Sequence, residues 1–292
     1  MPKNKLEKKT ASFILGNGFT FIIFALYAVT ILYTLFWLFS NSLKTIDEWD
    51  ESKFSLPIEF IKSGLWFDNY IAAWTELNYD GVGVPGMVFN SLWYSVGSAF
   101  VAIWFCCLTA YVISKYTFIG RNVIYTVAIV QMVLPIVGNL PATYKMYNDL
   151  QITNSPLLLI INAGGLGGNF MILYAIFQGI SNSYMEAAKI DGAGHYNVFF
   201  RVMLPQAAPA MFVIFLLGFI GSWNDYTGPL LYLYDYPTLA TGLMVFEKEM
   251  IYNINMPVFY AGTVVLILPM IVIFIIFSDK MMTSVSIGGL KG

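Results

Sequence analysis

Long apolar runs alternate with polar connections along this chain. Six runs stand out: Phe19–Phe39, Asn90–Ile113, Asn122–Leu140, Leu157–Gln178, Ala208–Leu230 and Pro257–Phe277. Each offers the about 20 mostly apolar residues that a helix needs to cross the hydrocarbon core of a bilayer. A backbone in lipid must satisfy its own N–H and C=O groups, so the runs are predicted to be helices. They are too long, and alternate too little, for the strands of a membrane barrel. No Asp, Glu, Lys or Arg lies well inside them; Asp225 sits near the outer end of the fifth.

The connection between the fourth and fifth runs breaks the pattern. EAAKIDGAGHYNVFFRVMLP, residues 186–205, gathers Glu186, Lys189, Asp191, His195 and Arg201 and is interrupted by Gly192 and Gly194. Ser183-Tyr184-Met185-Glu186 fits a capping box, which predicts a short helix starting at Tyr184. Asp191-Gly192-Ala193-Gly194 should end it. A second short helix is expected from about His195 to Met203, with Val198, Phe199, Val202 and Met203 on one face. Together they form a helix–turn–helix against one end of the bundle.

Composition narrows the class. Of 292 residues, 58% are hydrophobic and only 11% charged, against about a quarter charged in soluble domains. With a mean hydropathy of +0.68, the chain reads as a polytopic membrane protein. The net charge of −2 gives no indication of nucleic-acid binding. Cys106 and Cys107 are adjacent within an apolar run and read as small lipid- or helix-facing side chains. A single histidine excludes a metal site built from several imidazoles. The N-terminal MPKNKLEKKTASFILGNG is basic, and the run after it is too long for a signal-peptide core, so it reads as a retained span.

Lys and Arg set the orientation. With the N-terminus inside, the inner segments hold Lys3, Lys5, Lys8, Lys9, Lys115, Arg121, Lys189, Arg201, Lys280 and Lys291. The outer ones hold only Lys44, Lys53, Lys62, Lys145 and Lys248. Both termini and the 182–206 loop are therefore expected in the cytoplasm. The expected organisation is a cytoplasmic segment 1–18, a first span 19–39, an outer loop 40–89, a five-helix core 90–278 and a cytoplasmic tail 279–292. The outer loop is acidic and carries Trp49, Trp66 and Trp74. It reads either as a solvated loop with aromatic interface anchors or as a docking rim for an external partner.

Several function classes lack their chemistry. Ion- and proton-coupled carriers use intramembrane ionisable groups, which these runs do not contain. There is no G-x-x-x-x-G-K-[ST] phosphate cradle, no convincing inverted repeat, and no Ser/His or HExxH constellation for a membrane enzyme. Energy for any transport must come from another chain.

Glu186-Ala187-Ala188, Asp191-Gly192-Ala193 and Leu204-Pro205 resemble the EAA loop of ABC importer permeases. Thr109-Ala110-Tyr111, Lys115-Tyr116 and Phe118–Arg121 resemble a second cytoplasmic-end signature of MalG-like permeases. Asn69-Tyr70, Asn90-Ser91, Trp223–Tyr226 and the tail Gly288–Gly292 also match that family, so the likeness covers most of the chain from about Asp68 on. It implies an all-α integral membrane protein with six transmembrane helices and the type I (MetI-like) importer permease architecture. It further implies that the loop seats in a cleft of a cytoplasmic ATPase, which rocks the bundle between inward- and outward-facing states. In that setting Glu186 anchors the loop electrostatically or as a cap, and Gly192 supplies a turn where a side chain would clash. Asp191 caps the second helix, and Pro205 fixes the exit into the fifth span. Lys189 and Arg201 serve the same contact or act only as inside-positive anchors; His195 reads as a surface loop residue.

For the solute path, two strips qualify. The fourth run carries Asn162 and Asn169 among Gly164, Gly165, Gly167 and Gly168; the fifth carries Gly218, Gly221, Ser222, Trp223, Asn224, Asp225 and Tyr226. Small residues also allow close helix packing, and Trp and Tyr also form interface belts, so both alternatives stand. The resemblance implies a bacterial plasma-membrane importer for a sugar or oligosaccharide. It implies a second, homologous but different permease as heterodimer partner, two ATPase copies carrying ATP and Mg, and an extracellular solute-binding protein. No cofactor is expected on this chain, and no bond chemistry. A related importer for glycerol phosphate or a polyanion, an independent carrier and a membrane enzyme are the alternatives.

Overall fold

The computed structural model describes residues 3–59, 67–134, 138–250 and 255–289, with side chains described over 17–59, 67–134, 138–248 and 255–277. Apart from one two-residue hairpin the described residues are helical or loop, and the chain divides into two compact units. Among the described residues, four helices are long and apolar enough to cross a membrane: Asn17–Ser42, Val84–Lys115, His195–Trp223 and Met256–Phe277. These match the first, second, fifth and sixth predicted runs. The third run appears as a shorter apolar helix, Arg121–Val133, and the fourth is broken. Large apolar side chains stand exposed along the long helices, among them Phe21, Phe24, Phe100 and Ile275. A soluble monomer does not tolerate apolar surface on this scale, whereas lipid covers it without cost.

One unit comprises residues 1–76 and 249–265. Helix α1, Lys3–Ser42, runs far beyond the predicted 19–39. No residue in its most apolar window is buried, so this flank faces lipid or another chain. Beyond it the chain hooks back. Thr45 forms the capping box of α2, Ile46–Glu51, with Glu48. Trp49 lies against Trp37 and Tyr260, ring centroids 6.0 and 5.0 Å apart. It is buried and so is part of a small aromatic core, not the interface anchor expected from sequence. Trp74 is half exposed, and Trp66 lies outside the described residues. Lys44 is fully buried, its Nζ donating to the Ser52 carbonyl at 2.8 Å. Burial pushes the Lys44 ammonium below its ordinary value, and the nearby Glu48 carboxylate only partly offsets this. Helix α3, Asp68–Glu76, is tied to the hook by Asn69, whose Nδ2 donates to the carbonyls of Ser42 and Lys44.

The other unit comprises 77–248 and 266–292. It opens on the hairpin β1, Asn78–Tyr79, and β2, Val82–Gly83, joined by Asp80-Gly81. Both turn residues have positive φ, 49° and 83°, the geometry a two-residue hairpin turn demands. Helix α4, Val84–Lys115, starts six residues before the predicted Asn90, with Pro85 in its first turn. Proline suits that position because the first N–H groups have no helical partner.

Helix α4 is the hub of this unit. One face packs on α8, Gly168–Gly179: Cys107, Ala110 and Tyr111 meet Phe170, Leu173 and Phe177 in a dry core. Another face carries Ala99 against Gly218 and Phe219 of the long helix α11, Leu204–Trp223. A Cβ at Gly218 would sit 3.4 Å from that of Ala99, so the glycine lets two helices approach closely. Helices α5, Arg121–Val133, and α6, Leu140–Asp149, follow α4. The fourth predicted span becomes α7, Leu157–Ile161, then a non-helical stretch 162–167, then α8.

Candidate functional site

The 182–206 loop is built on an apolar anchor. Helix α9, Ser183–Ile190, buries Met185. The next turns bury Val198, Phe199 and Met203 against Tyr111 and Phe177. The helical face expected from sequence is therefore present. Its far side is bare: Ile190 is 86% and Tyr196 83% exposed, with Tyr184, Glu186, Ala187, Asp191 and Gly192 also exposed. Ala188, Ala193 and Leu204 are half-buried against the anchor, while Pro205 is exposed.

The expected capping box does not form. The helix begins at Ser183 itself, and Ser183 turns its amide and hydroxyl to Ser181 Oγ, leaving no side-chain cap. A residue already inside the helix cannot offer its hydroxyl to the amide three residues on in the cap geometry. The C-terminal turn does form as expected. The Gly192 amide donates to the Lys189 carbonyl and the Ala193 amide to the Ala188 carbonyl, 3.0 and 2.9 Å. This is the paired bonding of a Schellman turn, with Gly192 at φ 81°. A Cβ at Gly192 would meet nothing within 4 Å. The requirement is thus one of backbone conformation and not of space within this chain. Asp191 closes α9 and does not cap the next helix, whose N-cap is Gly194 without a side-chain bond.

Beyond Gly194 the second short helix does not end before the fifth span. Helix α10, His195–Val198, a π-helical turn Phe199–Met203 and α11, Leu204–Trp223, form one run. Pro205 supplies the reason. It has no N–H for the Arg201 carbonyl, and its ring crowds that carbonyl. The preceding turn widens so that the Leu204 amide bonds the Phe199 carbonyl instead.

Two side chains tie the loop to the end of α4. Lys115 Nζ donates to the Ile180 carbonyl and, at 2.9 Å, to Asn182 Oδ1. The Tyr116 hydroxyl bonds His195 Nδ1 at 2.9 Å and also reaches the Tyr111 hydroxyl. His195 is exposed, the surface loop residue expected, and this one hydrogen bond holds it to Tyr116. From sequence Lys115 reads as an inner cation and, with Tyr116, as part of the second cytoplasmic-end signature; its place at a helix C-terminus is the signal for its carbonyl contact.

A second feature is a cavity of about 210 Å³ between α4, the α7 end of the broken span, α11 and α12, Thr227–Tyr232. Its polar lining is Tyr94, Ser98, Asn162, Ser222 and Tyr232. Asn162 Oδ1 accepts from the Tyr147 hydroxyl. The non-helical stretch beside it is supported from α4, where Cys106 Sγ donates to the Gly164 carbonyl and Thr109 Oγ1 lies against Gly165. Backbone outside a helix is tolerated at membrane depth where protein buries it or a cavity adjoins it.

Of Trp223, Asn224, Asp225 and Tyr226, only Asp225 turns to the cavity wall. Its Oδ1 accepts from the amides of Thr227 and Gly228, and its Oδ2 from the Tyr94 hydroxyl at 2.8 Å. Trp223 is fully buried, its Nε1 donating to the Leu266 carbonyl, so it braces α11 against the last helix, α14, Met256–Gly289. Asn224 bonds the Ile220 carbonyl, and Tyr226 and Asn169 are exposed. Ser222 belongs to the strip expected from sequence, whereas Tyr94 and Ser98 read as ordinary span residues and Tyr232 falls just beyond the fifth run. The resemblance drawn on the tail reaches residues 290–292, which lie outside the described residues.

The chain is similar to several known proteins. The chain is 29% identical over 267 residues to the diacetylchitobiose uptake system permease protein NgcG of Streptomyces coelicolor, covering 90% of this chain and 85% of that one. It is 28% identical over 296 residues to the arabinooligosaccharides transport system permease protein AraQ of Halalkalibacterium halodurans, covering 98% and 100%. A crystal structure of a bacterial ABC transporter involved in the import of the acidic polysaccharide alginate shares the fold. There the TM-score is 0.72 at 22% identity, over 92% of this chain and 97% of that one. Residues 102–279 match one family throughout, and on that ground the chain belongs to the inner membrane components of binding-protein-dependent transport systems.

Proposed function

We propose that this chain is one of two permease subunits of a sugar-importing ABC transporter in a bacterial plasma membrane, and that the 182–206 loop couples it to a separate ATPase. The observation that carries this reading is the loop itself. It is anchored by Met185, Val198, Phe199 and Met203 and presents Ile190 and Tyr196 outward, exposed among the described residues. Apolar side chains at the outer face of a charged loop suit a protein groove. Glu186, Ala187, Ala188, Asp191, Gly192 and Ala193 shape that contact, and Leu204 with Pro205 sets the angle at which it enters α11. Two ATPase copies carrying ATP and Mg bias a bundle with two states.

The chain crosses the membrane six times in this reading, with Arg121–Leu140 as the third crossing and α7 with α8 as an interrupted fourth. Both termini lie in the cytoplasm, as the Lys and Arg bias favours. The partner permease is homologous but different, and an extracellular solute-binding protein delivers the solute. The aromatic hook at residues 40–59 suits that outer contact. The relatives named for chitobiose and arabino-oligosaccharides favour a neutral oligosaccharide. Asn162 and Asp225 border the path, with Asn169, Asn224 and Tyr226 further along it and Trp223 as structural support.

The test is site-directed crosslinking. An Ile190→Cys chain, co-expressed with the ATPase, should crosslink to it in a nucleotide-dependent manner. Crosslinks to lipid alone, or labelling of the introduced thiol only from the outer face of intact cells, would overturn the coupling role.

A further inference from the structure

The cavity beside Asp225 carries more than a stretch of path, granted the importer reading above. We infer that this chain itself holds one ring of a neutral sugar between Tyr94, Asn162, Ser222 and Tyr232, and that the Asp225 carboxylate excludes acidic sugars.

Size comes first. A water claims about 30 Å³ of liquid, so about 210 Å³ is the room of roughly seven waters. That leaves room for a monosaccharide ring. Chemistry follows. Among the described residues Ser98 Oγ, Ser222 Oγ and Asn162 Nδ2 have no hydrogen-bond partner, yet all three residues line the cavity. They offer two hydroxyls and an amide donor. The Tyr94 hydroxyl gives its proton to Asp225, so it faces the cavity as an acceptor. Ala99, Ala102, Leu158, Leu159 and Leu233 make much of the remainder apolar. An apolar surface with a few fixed polar groups is how small polar rings are held.

Charge decides the class. Among the described residues no Lys, Arg or His lines the cavity. Asp225 lies just behind two of its walls, Tyr94 and Gly228. A Cβ at Gly228 would come within 2.5 Å of Asp225 Oδ2 and 2.8 Å of the Tyr94 hydroxyl. Gly228 is therefore what lets the carboxylate lie so close. A uronate ring would place a second negative charge beside this one with no counter-charge, and such a juxtaposition excludes a ligand as effectively as a clash.

The experiment uses the complete transporter, with its ATPase and binding protein, in proteoliposomes. The chain's own Cys106 and Cys107 are buried, so a Ser222→Cys variant supplies an addressable thiol, and Ser98→Cys serves if that variant fails to assemble. The probes are maltotriose, arabinotriose and diacetylchitobiose, with trigalacturonate as the anionic one. Whichever neutral probe is imported should slow labelling of the new thiol by a small cationic methanethiosulfonate about tenfold, roughly the effect of one well-placed contact. Trigalacturonate should not slow it until Asp225 is changed to Asn, which keeps the cap and removes the charge. Unchanged labelling in a transporter that imports the probe would overturn the subsite and leave the importer reading standing. Equal protection by trigalacturonate with Asp225 intact would overturn the charge filter. Import of no sugar by the assembled complex would overturn the importer reading and this inference with it.

Discussion

Gly192, Asp225 and Lys44 show how much single residues set here. Gly192 sits at φ 81° with open space around its Cα. Any L-residue there pays for a left-handed backbone, about 1 kcal/mol for Ala. Gly192→Ala should insert normally and lower sugar-stimulated ATP hydrolysis severalfold, with Gly192→Asn closer to wild type because Asn tolerates that conformation. Normal stimulation in Gly192→Ala would show that the turn is not needed for coupling. Asp225 caps the first turn of α12, so Asp225→Ala should lower the melting temperature of the purified complex, by a loss of about 1–2 kcal/mol, and Asp225→Asn by much less. Lys44 gives a pH signature. Its pKa in the folded protein lies below the ordinary 10.5, so the unfolded hook binds more protons between the two values and stability rises with pH across that window. Limited proteolysis of the 40–59 hook should therefore slow as pH climbs toward 10.5, and Lys44→Met should flatten the trend. An unchanged trend in the variant would assign it to another group.

At the scale of elements, hydropathy located the spans that are single helices and blurred those that are not. Phe19–Phe39 is legible because nothing in it interrupts an apolar helix, and Pro257–Phe277 because its helix runs on through Pro269. The fourth run failed as one helix because Gly164 and Gly167 take positive φ, 48° and 138°, and periodicity cannot register a break made of small apolar residues. The start of α4 was placed late because Gly83-Val84-Pro85 reads as a turn, although Pro85 is at home in a first helical turn. In the loop, the Schellman turn and the buried face were legible from Gly192 and from the spacing of Val198, Phe199 and Met203. The π-helical turn was not, because it arises from Pro205 acting on a carbonyl four residues back. Pro205→Ala should restore ordinary helical bonding there and rotate everything before it relative to α11. We expect sugar uptake to fall severalfold with the chain still in the membrane; unchanged uptake would mean the widened turn has no mechanical role.

Across the whole molecule the striped pattern of apolar runs was enough for the class, and the resemblance of the loop was enough for the family. The cavity was not legible, because Tyr94, Ser98, Asn162, Ser222 and Tyr232 are far apart in sequence and meet only through packing on α4. The assembly has its own prediction. Liposomes holding this chain and its partner permease without ATPase should show no ATP-dependent sugar accumulation, and adding the ATPase should restore it; uphill accumulation without it would identify a self-powered carrier.

Helices α10 and α11 with the π-helical turn between them make a single run of 29 residues, His195–Trp223, about 43 Å long at 1.5 Å per residue. The contact face lies at one end, and Gly218 and Ser222 of the cavity wall lie at the other. Such a rod acts as a seesaw: a tilt of about 10° about its middle displaces each tip by nearly 4 Å on this length. A small rotation imposed at the loop end would thus reshape the proposed pocket directly, with no relay of side chains between them.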